Sequence, residues 1–146
     1  MDRNEKRLKH LELTEKIIGV FYEVYNELGM GFLESVYENA LAIALVEAGV
    51  SVTQQAPILV YYHGKLVGDF RCDLLVQNKV ILELKAVREI AAEHVAQTLN
   101  YLKATDVEVA LLLNFGEKPA FKRLVFDNER KKRGGAERGV AADSRG

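Results

Sequence analysis

The chain has 146 residues, of which 49% are hydrophobic and 28% charged, and its formal net charge is −1. This length and composition predict one globular domain, and the near-zero charge argues against a protein that coats DNA with a strongly basic surface. The single cysteine, Cys72, excludes an internal disulfide and any cysteine-rich metal site, and no apolar run could span a bilayer, so a cytoplasmic protein is expected.

Apolar residues at helical spacing predict two helices in the first third of the chain. Residues 1–10 are charged and are interpreted as a lead-in to the first helix, Leu11–Leu28. Gly29 follows it, as is typical of a helix end. The second helix is predicted from about Leu33 to Ala48.

The apolar spacing then changes to two residues, which predicts strands. The predicted strands and turns are Val52–Tyr62, the turn His63-Gly64-Lys65, Leu66–Val76, the turn Gln77-Asn78-Lys79, and Val80–Val87. A helix Arg88–Ala104, a buried strand Val107–Asn114 and a short edge strand Leu124–Phe126 follow. The domain is thus predicted to cover residues 11–127, and residues 128–146 form a polar tail that is expected to be disordered.

This order predicts an α/β fold with a mixed central sheet, in which the helix after the third strand forms a parallel crossover. Two charged residues interrupt the otherwise apolar third strand. Glu83 and Lys85 are two residues apart and therefore share one face. An unpaired charge inside a sheet is costly, so the pattern needs a compensating partner.

Asp73 on the preceding strand is the candidate partner. A three-residue turn at 77–79 would place Val76 opposite Val80 and Asp73 opposite Glu83, whereas a two-residue turn would place Asp73 opposite Leu84. In the first register the carboxylates lie roughly 5 Å apart. Their repulsion would cost about 3 kcal/mol at an effective dielectric near 20, and a divalent cation between them would reverse its sign.

Carboxylate and carbonyl oxygens suit Mg²⁺ or Mn²⁺. Lys85 could then stabilise a phosphate oxygen or orient a water, and the set would form a site for phosphodiester hydrolysis. The alternative is a salt bridge between Asp73 and Lys85 on a solvated sheet face.

The same residues resemble the D…ExK core of the PD-(D/E)XK nuclease superfamily. The resemblance covers about Leu11 to Phe126, and further motifs are similar to those of its members. Gly31–Tyr37 is similar to the G-x-x-E-x-x-Y signature of a small bacterial and archaeal family in it, Gln97–Tyr101 to the Q-x-x-x-Y motif of RecB-like members, and Asn114-Phe115-Gly116 to the pattern after the fourth strand.

The resemblance implies a restriction-endonuclease-like core, a mixed sheet flanked by helices, and a Mg²⁺ or Mn²⁺ cofactor. It implies that Asp73, Glu83, the backbone carbonyl of Leu84 and Glu34 bind the metal, and that Lys85 is the catalytic lysine. Cys72 stands where the superfamily often has a proline, and Tyr25 and Met30 stand where the family usually has histidine and proline.

Supporting roles are open at several other positions. Gln97 and Tyr101 share a helix face and could reach a ligand carboxylate or a phosphate, or could be a satisfied glutamine and a buried tyrosine. Arg71 shares a strand face with Asp73 and could contact a phosphate or form an outer salt bridge. Glu38 is interpreted as a solvated side chain.

The leading function is metal-dependent phosphodiester hydrolysis of nucleic acid, with DNA as the expected partner and no membrane. The alternative is a catalytically silent, nuclease-fold nucleic-acid-binding or scaffold protein of a repair or defence complex. The short, near-neutral chain favours this alternative, whereas the intact Asp73, Glu83 and Lys85 favour the enzyme. A homodimer acting on branched DNA is a third hypothesis.

Overall fold

The computed structural model of the chain describes residues 9–131 and the backbone of residues 137–140. Its elements are α1 (Leu11–Leu28), α2 (Glu34–Glu47), β1 (Val52–Tyr62), β2 (Lys65–Val76), β3 (Val80–Lys85), α3 (Ala92–Lys103), β4 (Val109–Asn114), β5 (Ala120–Val125), a 3₁₀ helix (Asn128–Arg130) and β6 (Glu137–Val140).

The strands form one six-stranded sheet in the order β5-β4-β3-β2-β1-β6. Strands β3 and β4 are parallel and are linked through α3, whereas the other neighbouring pairs are antiparallel. The predicted α/β fold with a mixed sheet and a parallel crossover is therefore confirmed. The carboxyl ends of β3 and β4 meet at one edge, and in open α/β sheets that edge commonly holds the ligand site.

Helices cover both faces of the sheet and create two apolar cores. Helices α1 and α2 pack on one face, where Phe21, Leu41 and Leu82 belong to one buried cluster. Helix α3 packs on the other, where Leu102 and Ile81 belong to a second cluster. Strand β4 lies between the two cores and is buried at every position, which explains its continuous apolar sequence.

Two predicted boundaries on either side of the link between β3 and α3 differ from the structure. Strand β3 ends at Lys85 rather than Val87, because the Asn114 side chain takes the place of a strand partner for Val87. The Val87 N–H donates to Asn114 Oδ1 at 3.0 Å, and Asn114 Nδ2 donates to the Val87 carbonyl at 2.9 Å. Helix α3 begins at Ala92 rather than Arg88, and β5 spans Ala120–Val125 rather than 124–126.

The predicted polar tail at 128–146 falls partly outside the described residues. Its described part packs on the domain: Asn128–Arg130 is a 3₁₀ helix, and the buried Lys131 ammonium donates to the carbonyls of Thr105 and Val107 at 2.8 and 2.9 Å. Strand β6 pairs with β1 in antiparallel orientation. The lead-in also lies mainly outside, although Lys9 Nζ donates to Glu108 Oε1 at 2.5 Å.

No helix in the part of the chain that the structure describes is long and apolar enough to cross a membrane. The cytoplasmic location expected from the sequence stays a prediction.

Candidate functional site

The turn between β2 and β3 sets the register of the candidate acids. Gln77 and Asn78 adopt left-handed conformations with φ of 50° and 56°, and the Lys79 N–H donates to the Val76 carbonyl at 2.9 Å. Val76 consequently pairs with Val80, and the pairing continues to Leu74 with Leu82. This is the predicted register of the three-residue turn, and the next residues in line are Asp73 and Glu83.

Asp73 and Glu83 bind the two strands to each other through their side chains. The Asp73 N–H donates to Glu83 Oε2 at 2.7 Å, and the Leu84 N–H donates to Asp73 Oδ2 at 2.8 Å. These two bonds, called here the carboxylate bracket, follow directly after the last backbone pair of β2 and β3. They fix both carboxylates at the point where the strands separate, and they leave Asp73 Oδ1 and Glu83 Oε1 outside the bracket.

Burial raises the pKa of both acids of the bracket. Glu83 is only 4% exposed, and burial, followed by the negative charge of Asp73, raises its pKa to about 8. Burial also raises the pKa of Asp73 above its ordinary value. A pair of carboxylates held close together in a dry site is a strong attractor for a cation, because the cation offsets both costs.

Lys85 ends β3 two residues after Glu83 and is half-buried. Its positive charge lowers the pKa of both Asp73 and Glu83, so its ammonium lies within electrostatic reach of the carboxylate bracket. Lys85 forms no ion pair with Asp73, and the ion pair that the structure shows within residues 9–131 joins Lys9 to Glu108. The alternative of a salt bridge between Asp73 and Lys85 is therefore not the arrangement found.

The glycine turn before α2 is held by Tyr37, which is completely buried. The Tyr37 hydroxyl donates to the Gly29 carbonyl at 2.5 Å and accepts from the Phe32 N–H at 3.3 Å. Its ring stacks on Phe115 with centroids 4.4 Å apart. Gly31 has φ of 105°, which favours glycine. The tyrosine of the G-x-x-E-x-x-Y sequence thus fixes the point at which α2 begins.

Glu34 is the first residue of α2 and lies at the rim of the site. Its Oε2 accepts from the Ala86 N–H at 3.4 Å, directly after Lys85, and the side chain is exposed. Within the described residues, no group of three or more acidic, histidine or cysteine side chains is gathered tightly enough to hold a metal. The metal-binding roles of Asp73, Glu83, Glu34 and the Leu84 carbonyl all stay predictions.

Glu38 is closer to the acids than its interpretation as a solvated side chain implied. Gln54 Nε2 donates to Glu38 Oε2 at 3.0 Å, and Gln55 Nε2 donates to Glu38 Oε1 at 2.7 Å. The negative charge of Glu38 raises the pKa of Asp73 and of Glu83. The one sequence signal for this acid was its position four residues after Glu34 on the same helix face.

The remaining predicted site residues, Tyr101, Gln97 and Arg71, differ in burial and in their contacts. Tyr101 is 5% exposed, packs against Phe70 at 5.8 Å, and has its pKa raised to about 12 by burial and by the charges of Glu83 and Asp73. Gln97 is exposed, and its side chain forms no hydrogen bond within residues 9–131. Arg71 Nη1 donates to the Gln55 carbonyl at 2.9 Å, so it supports a backbone segment.

Cys72 and His94 can be assigned structural positions. Cys72 is fully buried, and burial raises its thiol pKa to about 12, which excludes a role as a thiolate nucleophile. His94 Nδ1 accepts from the Ala91 N–H at 2.9 Å and caps the start of α3.

The Asn114-Phe115-Gly116 sequence fixes the backbone that follows β3. The Phe115 N–H donates to the Lys85 carbonyl at 2.7 Å, and Asn114 binds both backbone groups of Val87. A Cβ added to Gly116 would lie 2.0 Å from the Val87 carbonyl oxygen. Glycine is thus required at this position by the close approach of two backbone segments.

We expect Gly116→Ala to destabilise the protein by about 1–3 kcal/mol, because the added methyl group forces the two segments apart. Gly19→Ala, in the middle of the exposed face of α1, is the matched control: an added Cβ meets nothing within 4 Å there. It should stabilise the helix by about 0.5–1 kcal/mol. Urea denaturation of the two variants measures both changes, and equal stabilities for the two would contradict the close approach.

The class of protein follows from these observations and from comparison with known families. The sequence profile of the PD-(D/E)XK nuclease superfamily matches residues 11–124, and the chain belongs to this superfamily. Comparison with curated proteins found no match. Among solved structures, the crystal structure of SSO0001 aligns with a TM-score of 0.47 and 13% identity, covering 84% of this chain. The chain spans 62% of the length of that protein.

Proposed function

We propose that the protein is a Mg²⁺- or Mn²⁺-dependent nuclease that hydrolyses phosphodiester bonds of nucleic acid, with DNA as the expected substrate. Within the superfamily, we place it in the branch with the G-x-x-E-x-x-Y signature. The carboxylate bracket of Asp73 and Glu83, with Lys85 two residues away on the same strand, is the observation that carries this proposal.

The bracket supplies donors that fit a hard divalent cation. Both ligands are carboxylates, each has one oxygen outside the bracket, and burial opposes their ionisation in the absence of a positive charge. When bound there, a divalent cation would supply a Lewis acid that polarises a phosphate oxygen and lowers the pKa of water.

Lys85 supports the reaction by donating to the phosphate oxygens as negative charge builds on them. Its backbone is fixed, since the Phe115 N–H donates to its carbonyl, so the ammonium needs little reorganisation to act. Glu34, whose Oε2 accepts from the Ala86 N–H, would orient the attacking water. The negative charge of Glu38, which raises the pKa of Asp73, would add to the attraction of the site for a cation.

The test is a titration of the protein with Mn²⁺ or Mg²⁺, followed by thermal melting. The wild-type protein should be stabilised by about 2.7 kcal/mol when the free cation is at 100 times its Kd, and Asp73→Asn should lose this shift. Asp69→Asn, an exposed acid on the same strand, is the control and should keep it.

The same three proteins are then incubated with single- and double-stranded DNA and with RNA in the presence of the cation. Cleavage by the wild type and Asp69→Asn, but not by Asp73→Asn, is the expected result. Absence of any metal-dependent shift would contradict the proposal and favour the catalytically silent scaffold.

A further inference from the structure

Two neighbouring clefts lead away from the candidate active site along the carboxyl ends of β3 and β4. The first, of about 540 Å³, lies beside Phe32, Ala86 and Val87, next to the backbone that Glu34 contacts. The second, of about 620 Å³, lies beside Asn114 and β5. Arg88 and Glu117 line both clefts, so the two adjoin and are called here the groove, whose near end reaches Ala86 beside the candidate site.

The far half of this groove has an excess of positive charge. Arg88, Lys118 and Lys122 line it and are exposed, and within residues 9–131 none of them forms an ion pair or a side-chain hydrogen bond. Two acids, Glu89 and Glu117, line the same cleft. Three cations against two acids give a local excess of positive charge in a chain whose net charge is −1.

An aromatic ring accompanies these cations. Phe121 lines the far cleft, is 39% exposed, and is backed by Tyr22 in an edge-on contact with centroids 6.5 Å apart. A groove that combines cations with an exposed aromatic side chain is the arrangement that binds single-stranded nucleic acid, in which the unpaired bases stack on the ring. A duplex keeps its bases stacked internally and has no face to offer Phe121.

The size of the groove agrees with a single strand. Cavities of about 300–1,000 Å³ enclose molecules of drug size, which is the scale of a few nucleotides. We propose that the groove binds a single-stranded segment of the nucleic-acid substrate, with its phosphates on Arg88, Lys118 and Lys122 and a base on Phe121. This inference rests on the proposed nuclease function and specifies the form of its substrate.

The binding test uses the full chain in EDTA, where no metal-dependent cleavage occurs, and a fluorescent oligothymidylate of about 15 nucleotides. Arg88→Ala/Lys118→Ala/Lys122→Ala should weaken binding roughly tenfold. It should also reduce the slope of log affinity against log salt by about 2, since each phosphate contact on a single strand contributes about 0.7.

Phe121→Leu keeps an apolar side chain against Tyr22 and should weaken single-strand binding roughly tenfold, with duplex binding unchanged. Tyr62→Leu, at an exposed aromatic residue on β1, is the control and should leave binding unaltered. Glu89→Gln should increase single-strand affinity because it removes a competing charge, and a merely damaged fold would not produce that gain.

Lys85→Ala separates the two proposals, because it should fail to cleave and yet still bind the oligothymidylate in a way that the three groove cations and Phe121 strengthen. Cleavage by the wild type, together with unchanged binding by the groove variants, would contradict single-strand binding in the groove and support the nuclease function. Groove-dependent binding without cleavage of any substrate would contradict the proposed nuclease function and support single-strand binding in the groove. Loss of duplex and single-strand binding to the same degree in Phe121→Leu would also contradict the inference.

Discussion

Lys85→Ala is expected to lower the rate of metal-dependent cleavage by about 100-fold or more, the usual cost of removing one donor from a preorganised transition-state site. The fold should survive, because Lys85 is half-buried at a strand end and forms no ion pair with Asp73. Its charge lowers the pKa of both acids. A bound divalent cation would be repelled by this charge more strongly than the proton it displaces, so the variant should bind Mn²⁺ at least as well as the wild type while losing cleavage.

Single-turnover cleavage measures the effect of Lys85→Ala on catalysis, and Mn²⁺-dependent melting measures its effect on metal binding. Lys16→Ala, an exposed lysine on α1, is the control and should behave as the wild type. Lys85→Arg keeps the charge but changes the donor geometry, and it should restore cleavage only in part. Cleavage by Lys85→Ala at the wild-type rate would show that the observed nuclease does not use this lysine.

Glu83→Gln is expected to stabilise the metal-free protein at high pH. The folded-state pKa of Glu83 is about 8, well above the ordinary 4.5, so the folded protein holds an extra proton between these two values. Stability therefore falls as the pH rises through this window, and above it the buried carboxylate is fully ionised beside Asp73. Glutamine removes that charge, and its carbonyl oxygen can still accept from the Asp73 N–H.

Urea denaturation in EDTA should show Glu83→Gln more stable than wild type by at least about 1 kcal/mol at pH 9, and nearly equal to it at pH 4. Saturating Mn²⁺ should reverse the order, since only the wild type keeps both carboxylates. Glu47→Gln, an exposed acid at the end of α2, is the control and should change little at any pH. A variant less stable than wild type in EDTA at pH 9 would contradict the assignment.

The register of the acids could be predicted from the sequence because one local feature determines it. Three residues of turn type, Gln77-Asn78-Lys79, separate two apolar runs, and the pairing of Val76 with Val80 follows from their number. The buried strand β4 and helix α1 could be predicted for the same reason: their apolar spacing is long and uninterrupted.

Features that depend on distant side chains could not be predicted in this way. The end of β3 depends on Asn114, which binds Val87 from another strand. The position of Glu38 depends on Gln54 and Gln55 of β1, which no spacing within α2 reveals. Gln97 lies on the exposed face of α3, and its supporting role at the site stays a prediction.

The short turn before β3 has a consequence for how such a protein tolerates change. Because Gln77 and Asn78 hold left-handed conformations, glycine, asparagine and aspartate are the replacements that would most readily keep the two acids facing each other. Gaining or losing one residue, with a three-residue turn retained, would slide β2 along β3 and put Asp73 opposite Leu82 or Leu84. Chemistry at this site is therefore more vulnerable to a change in the length of the turn than to such replacements, so natural variants should keep the number of turn residues.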